Sequence, residues 1–190
     1  MPLLPLATQS RPAEYAGERL LNYSWDAVEG ALIGRSGLVP AHTLSGTVRA
    51  MGEMGGKQYA VAGGYLWDVA TETTVGQVQD DPTTTMAEMA NNLCVVAGGK
   101  YYVYDGALFG TYSTGQVTTP SSVTTMDGYV LVAGQDATRA DRIAVSRLDA
   151  PTVFDGLDFA TAETLPDGLV RIIRDHKEVA AVGTRTIERF

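Results

Sequence analysis

Apolar and polar positions alternate along this chain in short bursts, and the bursts come in pairs separated by two turn-forming residues. Thr85-Met86-Ala87-Glu88-Met89 is followed by the turn-like Asn91-Asn92 and then by Leu93-Cys94-Val95-Val96-Ala97. Ser122-Val123-Thr124-Thr125-Met126 is followed by Asp127-Gly128 and a second apolar run that opens at Tyr129 and closes at Ala133. Leu169-Val170-Arg171-Ile172-Ile173 precedes a polar Asp175-His176-Lys177 bend and the run Val179-Ala180-Ala181-Val182. A period of two with paired turn residues predicts strand, tight turn, strand in each unit. A glycine pair then leads into a third strand: Gly63-Gly64 into Tyr65-Leu66-Trp67-Asp68-Val69, and Gly98-Gly99 into Lys100-Tyr101-Tyr102-Val103-Tyr104, which closes at Asp105-Gly106. In the next unit a longer polar loop, from Gln135 to Asp141, is inserted before Arg142-Ile143-Ala144-Val145-Ser146.

These units repeat. Val61-Ala62-Gly63-Gly64 returns as Val96-Ala97-Gly98-Gly99 and as Val132-Ala133-Gly134, spacings of 35 and 36 residues, with a looser copy at Ala181-Val182-Gly183. Periods of this size mark propeller blades or a similar array. The expected fold is all-β, a β-propeller-like repeat of antiparallel strand meanders with three to four blades. The last unit stops in mid-pattern at Ile187-Glu188-Arg189-Phe190. The ring is therefore expected to be incomplete, either as a fragment or as one that closes with another chain. Residues 1–45 lack the repeat, and Pro2, Pro5 and Pro12 discourage regular structure, so they read as a leader or arm in which Leu20-Leu21-Asn22-Tyr23 packs on the blades of 46–190. The stretch between Asp149 and Asp167, with turn signals at Asp155-Gly156 and Pro166-Asp167-Gly168, reads as a long connection between blades.

Composition agrees with strands: 21 glycines stand against 8 prolines in 190 residues that are 45% apolar, enough for one substantial core. Fourteen basic against 22 acidic side chains give a net charge of −8. That balance opposes the phosphate neutralisation on which tight duplex binding depends, while an acidic wall would let a duplex slide past. Cys94 is the single cysteine, which excludes an intrachain disulfide, and its apolar neighbours favour a packed thiol over a reactive one. No run reaches the roughly 18 apolar residues of a membrane span, so a soluble protein made in a reducing cytoplasm is expected.

Candidate chemistry is sparse. His42 and His176 lie far apart without metal-type companions, and read as solvated or turn histidines rather than ligands or bases. Asp80-Asp81 before Pro82 reads as a strand boundary. Asp155-Gly156-Leu157-Asp158 lacks the alternating oxygen donors of a calcium loop and reads as a turn. The Gly-Gly pairs join strands, so they offer no helix start to a phosphate. No metal or cofactor is expected. Glu163 and Asp167 form the one carboxylate pair worth testing for glycoside cleavage, which needs two carboxylates about 5–10 Å apart. Tyr101, Tyr102, Tyr104 and Trp67 read either as filling between blades or as an aromatic sugar platform.

The C-terminal quarter carries an ordered series. Phe154-Asp155-Gly156-Leu157-Asp158-Phe159-Ala160-Thr161-Ala162-Glu163 comes first, then Leu165-Pro166-Asp167-Gly168-Leu169-Val170, then Val182-Gly183-Thr184-Arg185-Thr186-Ile187-Glu188. Together with Arg35-Ser36-Gly37-Leu38-Val39-Pro40 and the Gly-Gly hairpins, it resembles the packaged-DNA stabilisation, or tail accessory, family of short-tailed phages. The resemblance implies a non-enzymatic subunit of a ring, commonly hexameric, at the portal end of the virion and assembled in the host cytoplasm. Its implied partners are a portal or portal-adaptor protein, downstream tail components, and double-stranded DNA passing without sequence-specific binding. No membrane partner is implied. It also implies no catalytic residues. Docking is then expected on irregular segments outside blade strands: the arm from Pro2 to Tyr15, the loop from Gln135 to Asp141, and the connection from Asp149 to Asp158. A carbohydrate-binding or glycoside-cleaving propeller is the competing reading, and a component of a phage-derived gene transfer particle a third.

Overall fold

The computed structural model describes residues 23–26, 31–34, 40–135, 140–162 and 168–190, the first two stretches as backbone only. Two units are distinct, Met1–Ala41 and His42–Phe190. In the first, β1 (Tyr23–Asp26) and β2 (Ala31–Gly34) pair as an antiparallel hairpin, so the segment expected to be irregular contains regular structure. Pro2, Pro5 and Pro12 lie outside the described residues.

The second unit is a run of antiparallel meanders. Blade 1 holds β3 (Val48–Met54), β4 (Lys57–Ala62), β5 (Tyr65–Asp68) and β6 (Thr73–Gln77). Blade 2 holds β7 (Thr85–Met89), β8 (Asn92–Ala97), β9 (Lys100–Tyr104) and β10 (Phe109–Tyr112). Blade 3 holds β11 (Thr119–Met126), β12 (Tyr129–Gln135), β13 (Arg142–Arg147) and β14 (Ala150–Thr161). Blade 4 holds β15 (Leu169–Asp175), β16 (Glu178–Gly183) and β17 (Ile187–Arg189). The described residues contain no helix, and the four sheets form an incomplete propeller.

Three expectations are corrected. Blades 1 to 3 have a fourth strand where the repeat announced three. Residues 150–161 of the expected connection form a blade strand instead, while 163–167 lie outside the described residues: β14 pairs with β13 at Ala150, Phe154 and Phe159–Thr161, and the Asp155-Gly156 turn signal becomes a bulge, since Ser146 faces Phe154 while Ala144 faces Phe159. The turn before β8 is Ala90-Asn91 rather than Asn91-Asn92, because Met89 pairs with Asn92. Both turn residues take positive φ, 48° and 57°, the type I′ geometry that matches strand twist. Gly63 shows why glycine holds the turn between β4 and β5: φ is +56°, and a Cβ there would sit 2.6 Å from the Ser45 carbonyl oxygen.

The second strands of blades 1 to 3 are largely buried on both faces, which explains their continuous apolar runs. Leu93, Val95 and Ala97 of β8 pack with Tyr59, Val61 and Leu66 of blade 1. Cys94 and Val96, pointing the other way, pack with Val123, Val130 and Val132 of blade 3. Ala133 and Ile143 of blade 3 meet Leu169, Ile172, Val179 and Ala181 of blade 4. First strands of successive blades lie side by side, β3 by β7, β7 by β11 and β11 by β15, so they converge toward the axis. Hydroxyls stitch two of these joints: Thr85 Oγ1 accepts from Val123 N at 2.9 Å, and Ser122 Oγ accepts from Ile172 N at 3.2 Å.

Candidate functional site

The polar groups held most firmly in this chain fasten its joints. Asp81, in the link from β6 to β7, accepts from Thr83 N and Thr83 Oγ1, both at 2.7 Å, and from Gly98 N at 2.8 Å. The Thr83 bonds, with Gly98 behind them, hold its carboxyl below the usual carboxylate range. Arg49 of β3 donates to Asp80 at 2.8 Å, which lowers the Asp80 carboxyl likewise. Asp105 closes β9 by accepting from Ala107 N and Leu108 N, and those bonds lower its carboxyl too.

Between blades 2 and 3 the Tyr101 hydroxyl, fully buried, lies 2.8 Å from the Pro151 carbonyl and 3.2 Å from Cys94 Sγ. A hydroxyl has one proton, and the carbonyl is the stronger acceptor, so the thiol is left to donate to the phenolic oxygen. Burial pushes the Cys94 thiol up to about 12, and raises Tyr101 as well. The thiol stays protonated and structural. Tyr101 also meets Phe154 edge to face, with ring centroids 5.5 Å apart. One hydrogen bond and one ring contact to the head of β14 thus fix the edge strand of blade 3 to blade 2.

That edge is the candidate docking surface. Beyond the anchored start, β14 runs along the rim of blade 3 and exposes Val153, Leu157 and Phe159, and Leu148 is exposed in the turn before it. Leu157, at 85%, is the most exposed large apolar side chain among the described residues. The Arg142 guanidinium lies over the Phe159 ring at 4.5 Å, and Arg147 reaches Asp155 at 3.7 Å. The bulge at 155–158 turns Leu157 outward; Leu157 N donates to Asp155 Oδ1 at 3.3 Å. A free edge strand carrying apolar side chains is an unpaired backbone template for another chain.

The other positions singled out in the sequence fare differently. Pro2 and Tyr15 lie outside the described residues, as do Glu163, Asp167 and 136–139 of the Gln135 to Asp141 loop. Gln135 ends β12 in the open, whereas Asp141 is buried at 6% exposure and its carbonyl accepts from Ala162 N, so it roots the loop instead of presenting it. Asp149 directly precedes β14, and Asp158 lies within its bulge. Tyr101 and Tyr102 are core residues, Tyr102 stacked on Phe109 at 5.6 Å, so they form no exposed platform. His42 and His176 are exposed and rest against Glu72 and Asp175. Two open clefts, of about 290 and 360 Å3, flank the joint of blades 2 and 3 and share Tyr112. The outward apolar residues of β14 escaped the sequence reading because the strand itself did; the alternation Val153, Phe154, Asp155 was the available signal.

Solved structures with this chain's fold include the computationally designed Ika4 protein, at 11% identity and a TM-score of 0.53 over 82% of this chain and 97% of that one. The extracellular domain of the one component system BT4673 from B. thetaiotaomicron matches at 12% identity and a TM-score of 0.53, over 75% of this chain and 20% of that one. BamB from Moraxella catarrhalis matches at 13% identity and a TM-score of 0.52, over 84% of this chain and 49% of that one. The chain thus spans about a fifth and about half of the latter two. No curated protein matches. The family model described as bacteriophage P22 Gp10, beta-propeller, matches residues 24–190, all four blades and the hairpin before them, and the chain belongs to this phage stabilisation family.

Proposed function

We propose that this chain is a non-catalytic subunit of a ring at the portal end of a phage particle, extending the DNA channel and helping to retain the packaged genome. Membership of the stabilisation family makes it a structural protein of the phage virion, with other virion proteins as neighbours. The family match across all four blades is the observation that carries the finer reading. Three physical features support it. Antiparallel blades locked by buried side chains and aspartate-held links give a stiff body, while the edge of β14 offers a variable docking surface. The net charge of −8 suits a wall that repels phosphates and does not trap DNA. The Asp81 and Asp105 carboxylates are committed to backbone amides, which gives them a structural part.

In this ring the β14 edge, with Leu157 and Phe159, packs on a neighbouring virion protein, a portal or portal-adaptor subunit or the next member of a six-fold ring. The arm between Pro2 and Tyr15 and the loop from Gln135 to Asp141 supply further contacts, and assembly takes place in the host cytoplasm. The test is genome retention. Particles assembled without this chain should package DNA and then leave it open to added nuclease, and the wild-type chain supplied in trans should restore protection. Leu157→Asp with Phe159→Asp should restore it poorly. Particles that keep their DNA protected without the chain would overturn the reading.

A further inference from the structure

The groove along the joint of blades 2 and 3 is built like a site for an extended chain. Its two clefts share the Tyr112 ring, which is 38% exposed and lies back along β10 over Gly110, where a Cβ would come within 3.2 Å of the ring. The floor is buried and apolar: Tyr101 and Val117 under one cleft, Val103 and Pro151 under the other. The bond from the Tyr101 hydroxyl to the Pro151 carbonyl ties blade 2 to blade 3 across that floor, so the groove is preformed and a ligand pays little for reorganisation. One wall is β10, the outermost strand of blade 2, and no strand pairs with its outer side among the described residues.

The two ends of the groove differ in charge. Lys100 lines the cleft on one side of Tyr112, with the hydroxyl-bearing Thr111, Ser113 and Thr118. Asp105 and Asp149 line the cleft on the other side, with Leu108, itself 71% exposed. Neither Lys100 nor Asp149 forms an ion pair among the described residues. Lys100 opens β9 and Asp105 follows its end, so about 16 Å of strand separates them. A strand laid along β10 has the same rise, and its residues i, i+2 and i+4 point to one face across about 13 Å. Three alternate side chains of such a strand therefore match the Lys100 cleft, the Tyr112 ring and the cleft of the two aspartates.

We propose that this groove binds an extended peptide by strand addition to β10, with an apolar side chain on Tyr112, an acidic one toward Lys100 and a basic one toward Asp105 and Asp149. Other polymers match the charges poorly. A nucleic acid brings phosphates to both ends, and the acidic end repels them. A neutral glycan would stack on Tyr112 and use neither charged end. The motif is thus acidic, any, apolar, any, basic, in either chain direction. The groove is distinct from the exposed rim of β14, so failure of this inference leaves the virion reading standing.

Panning a ribosome-displayed library of random dodecapeptides against the protein should enrich that motif, and fluorescence polarisation of an enriched peptide then locates its site. Tyr112→Ala should weaken binding about tenfold or more, the scale of a lost tyrosine anchor. Lys100→Glu should weaken it about tenfold, and the same peptide with its acidic residue changed to lysine should bind this variant as tightly as the original pair bind. Asp149→Asn, which suits the φ of 51° at that position, should weaken it by a similar factor. All three side chains are exposed, so the circular dichroism of the variants should be unchanged. No enriched peptide, a consensus lacking either charge, or binding that ignores Tyr112→Ala and is lost with Leu157→Asp would each overturn the proposal. A glycan-array signal that disappears with Tyr112→Ala would overturn it in favour of a sugar.

Discussion

Removing one oxygen from Tyr101 isolates the bond on which the blade 2 to blade 3 joint turns. Tyr101→Phe keeps the buried ring and its edge contact with Phe154, and deletes the donor that lies 2.8 Å from the Pro151 carbonyl. Pro151 is itself buried at the head of β14, so its carbonyl finds no water in exchange. Orphaning a buried acceptor costs about 1–3 kcal/mol, well above the net worth of an exposed hydrogen bond. The Cys94 thiol loses its acceptor at the same time, which adds little, because a thiol is a weak donor. For a domain of this size about 2 kcal/mol corresponds to a fall in Tm of roughly 4–8 °C. Urea unfolding followed by far-ultraviolet circular dichroism gives the same quantity through the midpoint at constant slope. Limited proteolysis would add spatial detail, with cleavage in β14 rising before cleavage in β8. A change below about 0.5 kcal/mol, the range of neutral surface substitutions, would refute the claim that this hydroxyl anchors β14.

Four further outcomes follow from the same geometry. Gly76→Val should destabilise by about 1–3 kcal/mol, since even a Cβ there would come within 2.1 Å of the Phe109 ring and overpack the joint of blades 1 and 2; chemical denaturation reads this directly. Ala90→Gly should stabilise by up to about 1 kcal/mol, because alanine is held at φ 48° in a turn that glycine enters without strain, less the entropy glycine adds to the unfolded chain; an unchanged midpoint would contradict it. Asp80, Asp81 and Asp105 all have lowered carboxyls, so their contribution is complete above the unfolded value near 3.9 and is lost as pH falls through the lower folded values. Tm should therefore hold level down to about pH 5 and drop below about 4, with Asp81→Ala shallower in that limb and about 1–2 kcal/mol less stable at neutral pH. Cys94 should resist a maleimide at pH 8 until the protein unfolds, as its thiol is buried and protonated.

What the sequence announced was the buried part of each blade. The second strands of blades 2 and 3 read clearly because both of their faces meet apolar neighbours, and the glycine pairs at 63-64 and 98-99 read clearly because type I′ turns demand positive φ. The fourth strands did not. Thr73-Thr74-Val75-Gly76-Gln77 and Phe109-Gly110-Thr111-Tyr112 lie at blade rims, where one face meets solvent and no apolar period survives. β14 was hidden by its own bulge, because Asp155-Gly156-Leu157-Asp158 has turn chemistry while the flanking residues pair with β13. Asp141 misled in the opposite sense: an acidic residue next to a polar loop reads as exposed, yet the chain folds it under the Ala162 strand end. The candidate docking edge inherits these misses, since a rim strand shows its apolar residues to solvent and gives the same pattern as a loop.

The disposition of polar groups argues for work done by shape. In a catalytic site, side chains that are firmly held point at vacant space where a substrate fits, and their strained or shifted states are aimed at it. Here the firmly held groups point at the chain itself. Asp81 closes on Thr83 and Gly98, Asp105 on Ala107 and Leu108, Thr85 on Val123, Ser122 on Ile172, and Tyr101 on Pro151. The Thr85, Ser122 and Tyr101 bonds cross joints between blades and resist bending of one blade against the next, while the Asp81 and Asp105 bonds fix the turns and links around them. Exposed apolar side chains, by contrast, gather along the rim of β14, at Val153, Leu157 and Phe159. A body made rigid within and left adhesive at its edges is suited to be one stave of a larger wall, which is the physical content of a stabilising role in a virion.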